Sequence, residues 1–382
     1  MLVNIAQKIK VCYYNFIKGG WIMSDKLRIG IIGTGGIAHS HARAYKSFDD
    51  VEIVAGADII PGKARDFLDE FELSDAVAYE SCEELCQRDD IDAVSVCTYN
   101  QAHAVCAVNA LMSGKHVLLE KPLSVTLEQG LEIMQAEKAS GKILTVGFQP
   151  RYGSNMKQVK KIIGEGTLGD VYYIQVGGGR FRGIPGRTFI EKDKAGFGAI
   201  GDIGCYGLDF ALNSIGYPKP LSVSAVSYAH FGKNPDLYSE AHRFTVDDDF
   251  AAAFVRLEGG ITLDFRVSWA MHMDTLGDFL FLGTKAGLKV EGKPGMCWDG
   301  TAGNLTLYYD DEEGKPTSKA IDPEIPTEVK ANLGEQKVRD FLDAVKTGGK
   351  APIPTSQIIY NQAIIDGIIR SAQLDREVEI NV

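Results

Sequence analysis

Between residues 27 and about 147, short apolar runs alternate with longer amphipathic stretches. The runs are Leu27-Arg-Ile-Gly-Ile-Ile32, Val51-Glu-Ile-Val-Ala-Gly-Ala57, Ala76 to Tyr79, Ala93-Val-Ser-Val-Cys97, His116-Val-Leu-Leu-Glu120 and Ile143-Leu-Thr-Val-Gly147. Runs without a polar alternate face suit strands that helices cover on both sides. Between them lie helical segments: Lys63 to Phe71, one capped by Ser81, Ala102 to Ser113 closed by Gly114, and Leu127 to Ala139 ending at Gly141. Six strands with crossover helices predict an α/β unit with a doubly wound parallel sheet.

After residue 148 the period changes to two. Asp170 to Val176, Leu221 to Tyr228, Asp249 to Leu257, Ile261 to Trp269, Asp278 to Leu282, Gly287 to Val290 and Leu305 to Tyr309 read as strands separated by turn residues. They predict a C-terminal α+β unit with a large, mainly antiparallel open sheet. Helices are expected at Met156 to Gly164, Ala199 to Ile215, Glu335 to Lys346 and Gln357 to Leu374, the last packing on the sheet or back on the first unit.

The first turn carries the most specific chemistry. Gly33-x-Gly35-x-x-Ala38 falls where the first strand gives way to a helix. Glycine at 33 permits the tight turn, glycine at 35 admits a pyrophosphate to the backbone, and a small residue at 38 lets helix and strand pack. The second strand ends in Asp58, twenty-five residues after Gly33, near the roughly 20 expected of a ribose-binding acid. No arginine follows Asp58 immediately to hold a 2′-phosphate, so NAD is favoured over NADP. This is the Rossmann arrangement, with the pyrophosphate over Gly33, Thr34, Gly35, Gly36 and Ile37.

Length and composition limit the alternatives. With 382 residues two domains are expected, and we place them at 23–147 and 148–382. The net charge of −11 disfavours nucleic acid and anionic membrane as partners, and no apolar run approaches the ~18 to 20 residues of a membrane span. Seven cysteines without Cys-x-x-Cys spacing read as reduced thiols of a cytoplasmic protein. The histidines are scattered, and no metal site is expected. Residues 1–22 read as an extension outside the fold, because Met23-Ser-Asp-Lys-Leu-Arg-Ile-Gly begins as dinucleotide-binding chains do and Lys18-Gly19-Gly20 is what a translated ribosome-binding site would encode.

Further candidates lie at strand ends, where open α/β sheets bind ligands. Thr98, Asn100 and His103 follow the fourth strand and are cofactor candidates, although His103 at a helix start reads as structural before catalytic. Lys121 emerges from the fifth strand between Glu120 and Pro122. An amine there can stabilise a developing alkoxide and lower the pKa of a neighbouring proton acceptor. Asp202, Tyr206 and Asp209 recur at i, i+4 and i+7, one face of a continuous helix, which suits a polyol site; caps or ion pairs are the structural alternative for the two acids. Trp269 and His272 stand at a strand end, the indole as a sugar platform or as core. The loop Arg180-Phe-Arg182-Gly-Ile-Pro-Gly186 reaches over the pocket.

Taken together, Gly33-x-Gly35-x-x-Ala38, Glu120-Lys121-Pro122, Gly147-Phe-Gln-x-Arg151 and Asp202-x-Gly204-x-Tyr206-x-x-Asp209 resemble the Gfo/Idh/MocA oxidoreductases from about residue 25 to 380. The resemblance implies NAD(P)-dependent hydride transfer on sugars, cyclitols or related alcohols, and homo-oligomers formed through the C-terminal sheet. It adds Glu120, Lys121 and Arg151 to the cofactor candidates. It assigns Lys121, Tyr206 and Asp202 to catalysis, and Arg151, Arg182, Asp209, Trp269 and His272 with them to the sugar. Inositol-dehydrogenase-like members carry histidine where this chain has Tyr206, and many members carry proline where it has Tyr99. The expected reaction is oxidation of a secondary hydroxyl of a sugar, glycoside or cyclitol, with hexose C3 favoured by analogy and Tyr206 acting as base with help from the Lys121 charge. A cofactor-retaining sugar–sugar oxidoreductase, an NAD-dependent glycosidase and a non-catalytic dinucleotide sensor remain as alternatives.

Overall fold

The computed structural model describes residues 26–292, 303–322 and 332–382. The proposed extension at 1–22, with Cys12, and Cys297 lie outside them. The first sheet is parallel, with order β3-β2-β1-β4-β5-β6. Its strands are β1 (Leu27–Ile32), β2 (Val51–Ala57), β3 (Val77–Tyr79), β4 (Ala93–Val96), β5 (His116–Leu119) and β6 (Leu144–Val146). The crossover helices are α1 (Gly36–Lys46), α2 (Lys63–Glu70), α3 (Cys82–Cys86), α4 (His103–Met112) and α5 (Leu127–Ser140). Order reverses between β1 and β4, which opens a crevice at the carboxyl ends of those strands.

Local signals set these boundaries. Thr126 and Gln129 form a reciprocal capping box at the start of α5, and Gly141 ends it in the left-handed conformation with φ 65°. Ser81 caps α3 by accepting from the Glu84 N–H.

The second sheet has nine strands in the order β14-β13-β12-β11-β7-β10-β9-β8-β15. They are β7 (Val171–Gly179), β8 (Pro220–Tyr228), β9 (Phe250–Leu257), β10 (Ile261–Ser268), β11 (Phe279–Gly283), β12 (Ala286–Val290), β13 (Leu305–Asp310), β14 (Pro316–Ile321) and β15 (Val378–Glu379). Only β7 and β10 pair in parallel; the other pairings are antiparallel. One face packs on helices and carries Val223, Val255, Phe265 and Val176 in the core. The opposite face is open, with Val226, Tyr228, Phe254 and Tyr308 about half exposed.

Four further helices and two single turns follow the first sheet: α6 (Ser154–Gly164), α7 (Lys192–Ala195), α8 (Ala199–Asp202), α9 (Gly204–Ser214), α10 (Leu333–Thr347) and α11 (Thr355–Leu374). The expected helix over 199–215 is interrupted at Ile203, whose φ of −106° lies off the helical value. Asp202 therefore ends one short helix while Tyr206 and Asp209 sit on the next. Strand β14 was not expected, because Pro316-Thr-Ser-Lys-Ala-Ile321 is largely exposed and polar. The returning helices divide their work: α11 packs on β8 and α5, and α10 lays Val338, Phe341 and Leu342 against the core around Ile29, Ile31 and Ala38. Among the described residues no helix is long and apolar enough to cross a membrane.

Close backbone approach fixes the entry to α8. A Cβ at Gly198 would stand 1.9 Å from the carbonyl oxygen of Asp248. Gly198→Ala is expected to lower the unfolding free energy by about 1–3 kcal/mol, read by urea denaturation. An unchanged midpoint would show that the contact relaxes freely.

Candidate active site

The glycine-rich turn has the form a dinucleotide requires. Gly33 has φ 83°, and a Cβ there would lie 2.8 Å from the backbone of Cys97 and Thr98, so only glycine fits. A Cβ at Gly35 or Gly36 would meet nothing within 4 Å, which leaves an open cradle over the start of α1. No side chain caps that helix, so its first N–H groups and positive dipole end are available to phosphate. Thr98 Oγ1 is buried without a partner at the same crevice. These features fit NAD.

Asp58 is held at the end of β2. Its Oδ2 accepts from Thr34 N and Thr34 Oγ1, both at 2.9 Å, and from Lys63 Nζ at 2.7 Å, while Oδ1 accepts from Ile60 N at 3.1 Å. Burial works against its charge, but Lys63 and the donated N–H groups outweigh that and hold the carboxyl below its ordinary range. The side chain of Thr34 thus orients Asp58 rather than reaching for the cofactor. Lys63, from the first turn of α2, thus stands beside the Asp58 carboxylate. Ile37 is partly exposed at the start of α1 and can wall the crevice.

Lys121, Asp202 and Tyr206 come together from separate elements. Lys121 follows β5 through a cis peptide to Pro122. Its ammonium donates to Asp202 Oδ1 at 3.1 Å and to the Asp202 backbone oxygen at 2.8 Å, and lies 4.8 Å from the centre of the Tyr206 ring. The other carboxylate oxygen of Asp202 accepts from the Trp269 indole N–H at 3.0 Å. Burial tends to discharge Lys121, yet Tyr206 and Asp202 prevail and hold its pKa well above the ordinary lysine value. Tyr206 moves the other way than expected: burial pushes its phenol up, and the opposing pull of Lys121 is too weak to cancel this. Gln149, which motif spacing did not single out for chemistry, donates Nε2 to the Tyr206 oxygen at 3.2 Å.

Several expected ligands are engaged elsewhere. Arg151 donates Nε and Nη2 to the buried carboxylate of Asp209 at 2.9 and 2.6 Å and Nη1 to Gln357 at 2.7 Å, with Tyr217 beside them. This closed ion pair joins the start of α6 to α9, so neither Arg151 nor Asp209 is free for sugar or cofactor. Asp209 leaves the stripe because Arg151 and Tyr217 take its carboxylate. Trp269 is fully buried, so its indole offers an N–H to Asp202 and no face to a sugar. His103 is buried between Pro122 O at 2.7 Å and Thr98 O at 3.3 Å, a structural brace on the Lys121 turn. The Asn100 amide donates to Ala195 O at 2.9 Å, tying the first sheet to α7. Arg182 stacks between Phe181 and Phe231, donates to Met271 O at 2.7 Å and lies 3.4 Å from His272 Nδ1; both stay on an outer loop cluster next to Trp269. Glu120 points inward, to His41 and Lys337.

Asp248 was also missed, because its role depends on contacts distant in sequence. Its two oxygens accept from Gly198 N at 2.7 Å and Ile200 N at 2.8 Å, which anchors the short helix that presents Asp202. Burial raises its pKa to about 6 against those two hydrogen bonds. A carboxyl that binds its proton more tightly when folded favours folding at low pH, and that contribution is lost as pH rises through about 6. Relative to an Asp248→Asn variant, the wild-type protein should gain up to about 3 kcal/mol of unfolding free energy between pH 7 and pH 4. A pH-independent difference in urea titrations would contradict this.

Residues 27–148 match the family model described as an oxidoreductase family with NAD-binding Rossmann fold, and residues 156–289 match the GFO/IDH/MocA C-terminal domain. D-glucoside 3-dehydrogenase of Escherichia coli (strain K12) is 30% identical over 272 residues, covering 69% of this chain and 77% of that protein. Inositol 2-dehydrogenase of Salmonella typhimurium is 37% identical over 145 residues, 37% of this chain and 43% of that protein. Among solved structures, levoglucosan dehydrogenase in complex with NADH aligns over 93% of this chain and 99% of its own with a TM-score of 0.78 at 21% identity, a likeness of fold. Both halves match in order and the glucoside enzyme aligns across their junction: the chain belongs to the GFO/IDH/MocA family of NAD-binding oxidoreductases.

Proposed function

We propose that this oxidoreductase oxidises the C3 hydroxyl of a D-glucoside to the ketone. The observation that carries the reading is the buried Lys121 cation fixed by Asp202 beside the Tyr206 phenol. The similarity to D-glucoside 3-dehydrogenase supports the choice of substrate and carbon.

The cradle over Gly33, Gly35 and Gly36 and the carboxylate of Asp58 would hold NAD, which when bound takes up the hydride from the carbinol carbon. The chain's own residues manage the oxygen. Lys121 donates a hydrogen bond to the carbinol oxygen and stabilises the negative charge that builds there as the hydroxyl proton leaves, charge that forms the carbonyl as the hydride departs. The hydroxyl proton passes to the Tyr206 oxygen, whose ionised form is stabilised by Lys121 and by the Gln149 amide. Asp202 keeps the amine charged and aimed, and Trp269 keeps Asp202 in place. Because burial favours the neutral phenol, Tyr206 is a ready acid for ketone reduction at neutral pH and a base only as pH rises.

The half-exposed apolar residues of the open sheet face, Val226, Tyr228, Phe254 and Tyr308, support a homo-oligomer in which a second copy covers them. Among the described residues five cysteines are buried and none forms a disulfide, which supports a reducing, cytoplasmic location.

Methyl glucoside carrying deuterium at C3 tests the reaction: NADH should appear with the label, together with the 3-keto product. Oxidation at another carbon, or none with any glucoside, would overturn the assignment. Lys121→Met and Tyr206→Phe should each lower kcat by about 10²-fold or more and leave NADH affinity nearly unchanged in fluorescence titration. In the wild type, the oxidation rate should climb with pH above neutrality while ketone reduction stays level; a maximum below pH 7 for oxidation would remove Tyr206 from the role.

A further inference from the structure

Beneath Lys121 lies a buried polar chain with no access to substrate. Glu120 Oε1 accepts from His41 Nε2 at 2.8 Å and from Lys337 Nζ, and its Oε2 accepts from the backbone N–H of Lys121 at 3.3 Å. His41 Nδ1 stands 2.9 Å from Ser95 Oγ, which stands 2.7 Å from the Tyr45 hydroxyl. One donor order satisfies every member: Tyr45 to Ser95, Ser95 to His41, and His41 to Glu120. Burial keeps His41 neutral, so Glu120 has one strong counter-charge, Lys337. That lysine belongs to α10, 217 positions further along the chain, and both it and Glu120 are more than nine-tenths buried. The carboxylate also fills the space over Gly147, where a Cβ would be 2.8 Å from Oε1.

We propose that Lys337 is a positioning residue for Lys121: it fixes the Glu120 carboxylate, which grips the backbone from which the reactive amine projects. Two physical consequences follow from removing it. A buried carboxylate that loses its partner is costly and either takes up a proton or shifts towards water, and in both cases the grip on Lys121 N changes. If it stays charged, its field acts on Tyr206, whose phenol it already pushes upward. The groups facing Glu120 are His41 from α1, Lys337 from α10, Lys121 from the end of β5 and the buried Cys97 thiol from the end of β4. Lys337 is the only cation among them with no other part in the site. It also explains why α10 returns to the first sheet: the helix delivers a charge as well as apolar packing.

The kinetic part of this inference rests on the proposed glucoside oxidation, so the test includes a signal from Lys121 that needs no substrate. Lys337→Met, Lys337→Arg, Glu120→Gln and the Glu120→Gln/Lys337→Met pair are compared by kcat, by KM, by NADH affinity and by NMR of protein labelled at lysine Cε, with the Lys121 resonance assigned through Lys121→Met. Lys337→Met is expected to lower kcat about 10-fold or more through misplacement of the amine, to change NADH affinity little, and to move the Lys121 resonance. Lys337→Arg should restore most of the rate. The double variant, which removes both charges, should exceed either single charge deletion in kcat and bring the Lys121 resonance back towards wild type. A folded Lys337→Met with wild-type kcat and an unmoved resonance would overturn the proposal. If that variant does not fold, the double variant against Glu120→Gln decides, and no gain in the double variant is contradictory. Should the wild type oxidise no glucoside, the proposed reaction fails and the Lys121 resonance alone decides the inference.

Discussion

The site depends on keeping a lysine charged where water is scarce. An isolated ammonium buried in protein tends to discharge, and Lys121 escapes this because Asp202 receives it through both a carboxylate oxygen and a backbone oxygen. Asp202 in turn holds that geometry because Trp269 occupies its second oxygen and Asp248 anchors the start of its helix. In the proposed reaction this cation allows negative charge to develop on a substrate oxygen beside a phenol whose own burial resists ionisation.

The two sheets supply the halves of this arrangement. Lys121 comes from the carboxyl edge of the parallel sheet, whereas Asp202, Tyr206 and Trp269 come from helices and a strand end of the second sheet. Their registration therefore requires rigid contact between the two. Asn100 donating to Ala195 O, α11 against α5 and α10 against α1 provide it. The Arg151–Asp209 pair serves the same end within the second unit, fastening α9 so that Tyr206 keeps its place.

What the sequence revealed followed the range of the interactions involved. The first two strands, the tight turn at Gly33 and the acid at 58 depend on local backbone chemistry, and the run Leu27 to Asp58 contains all of it. Lys121 was legible because a charged residue leaving an apolar strand is conspicuous. Helical spacing misled at Asp209, since a guanidinium 58 positions away claims its carboxylate. Polar Pro316 to Ile321 gave no strand signal because both faces of β14 meet water. Lys337, His41 and Asp248 were invisible for a different reason: each resembles an ordinary helix or loop residue until the fold brings its partner. The same holds for Lys63, which reaches Asp58 from the first turn of a helix.

The proposed chemistry requires one carbinol oxygen to lie between the Lys121 ammonium and the Tyr206 hydroxyl. A crystal structure of the ternary complex with NADH and methyl glucoside tests this most directly. The C3 oxygen should lie within hydrogen-bond distance of both side chains, with Lys121 still paired to Asp202. A sugar bound through other residues, or the amine and the phenol turned to opposite walls of the crevice, would contradict it.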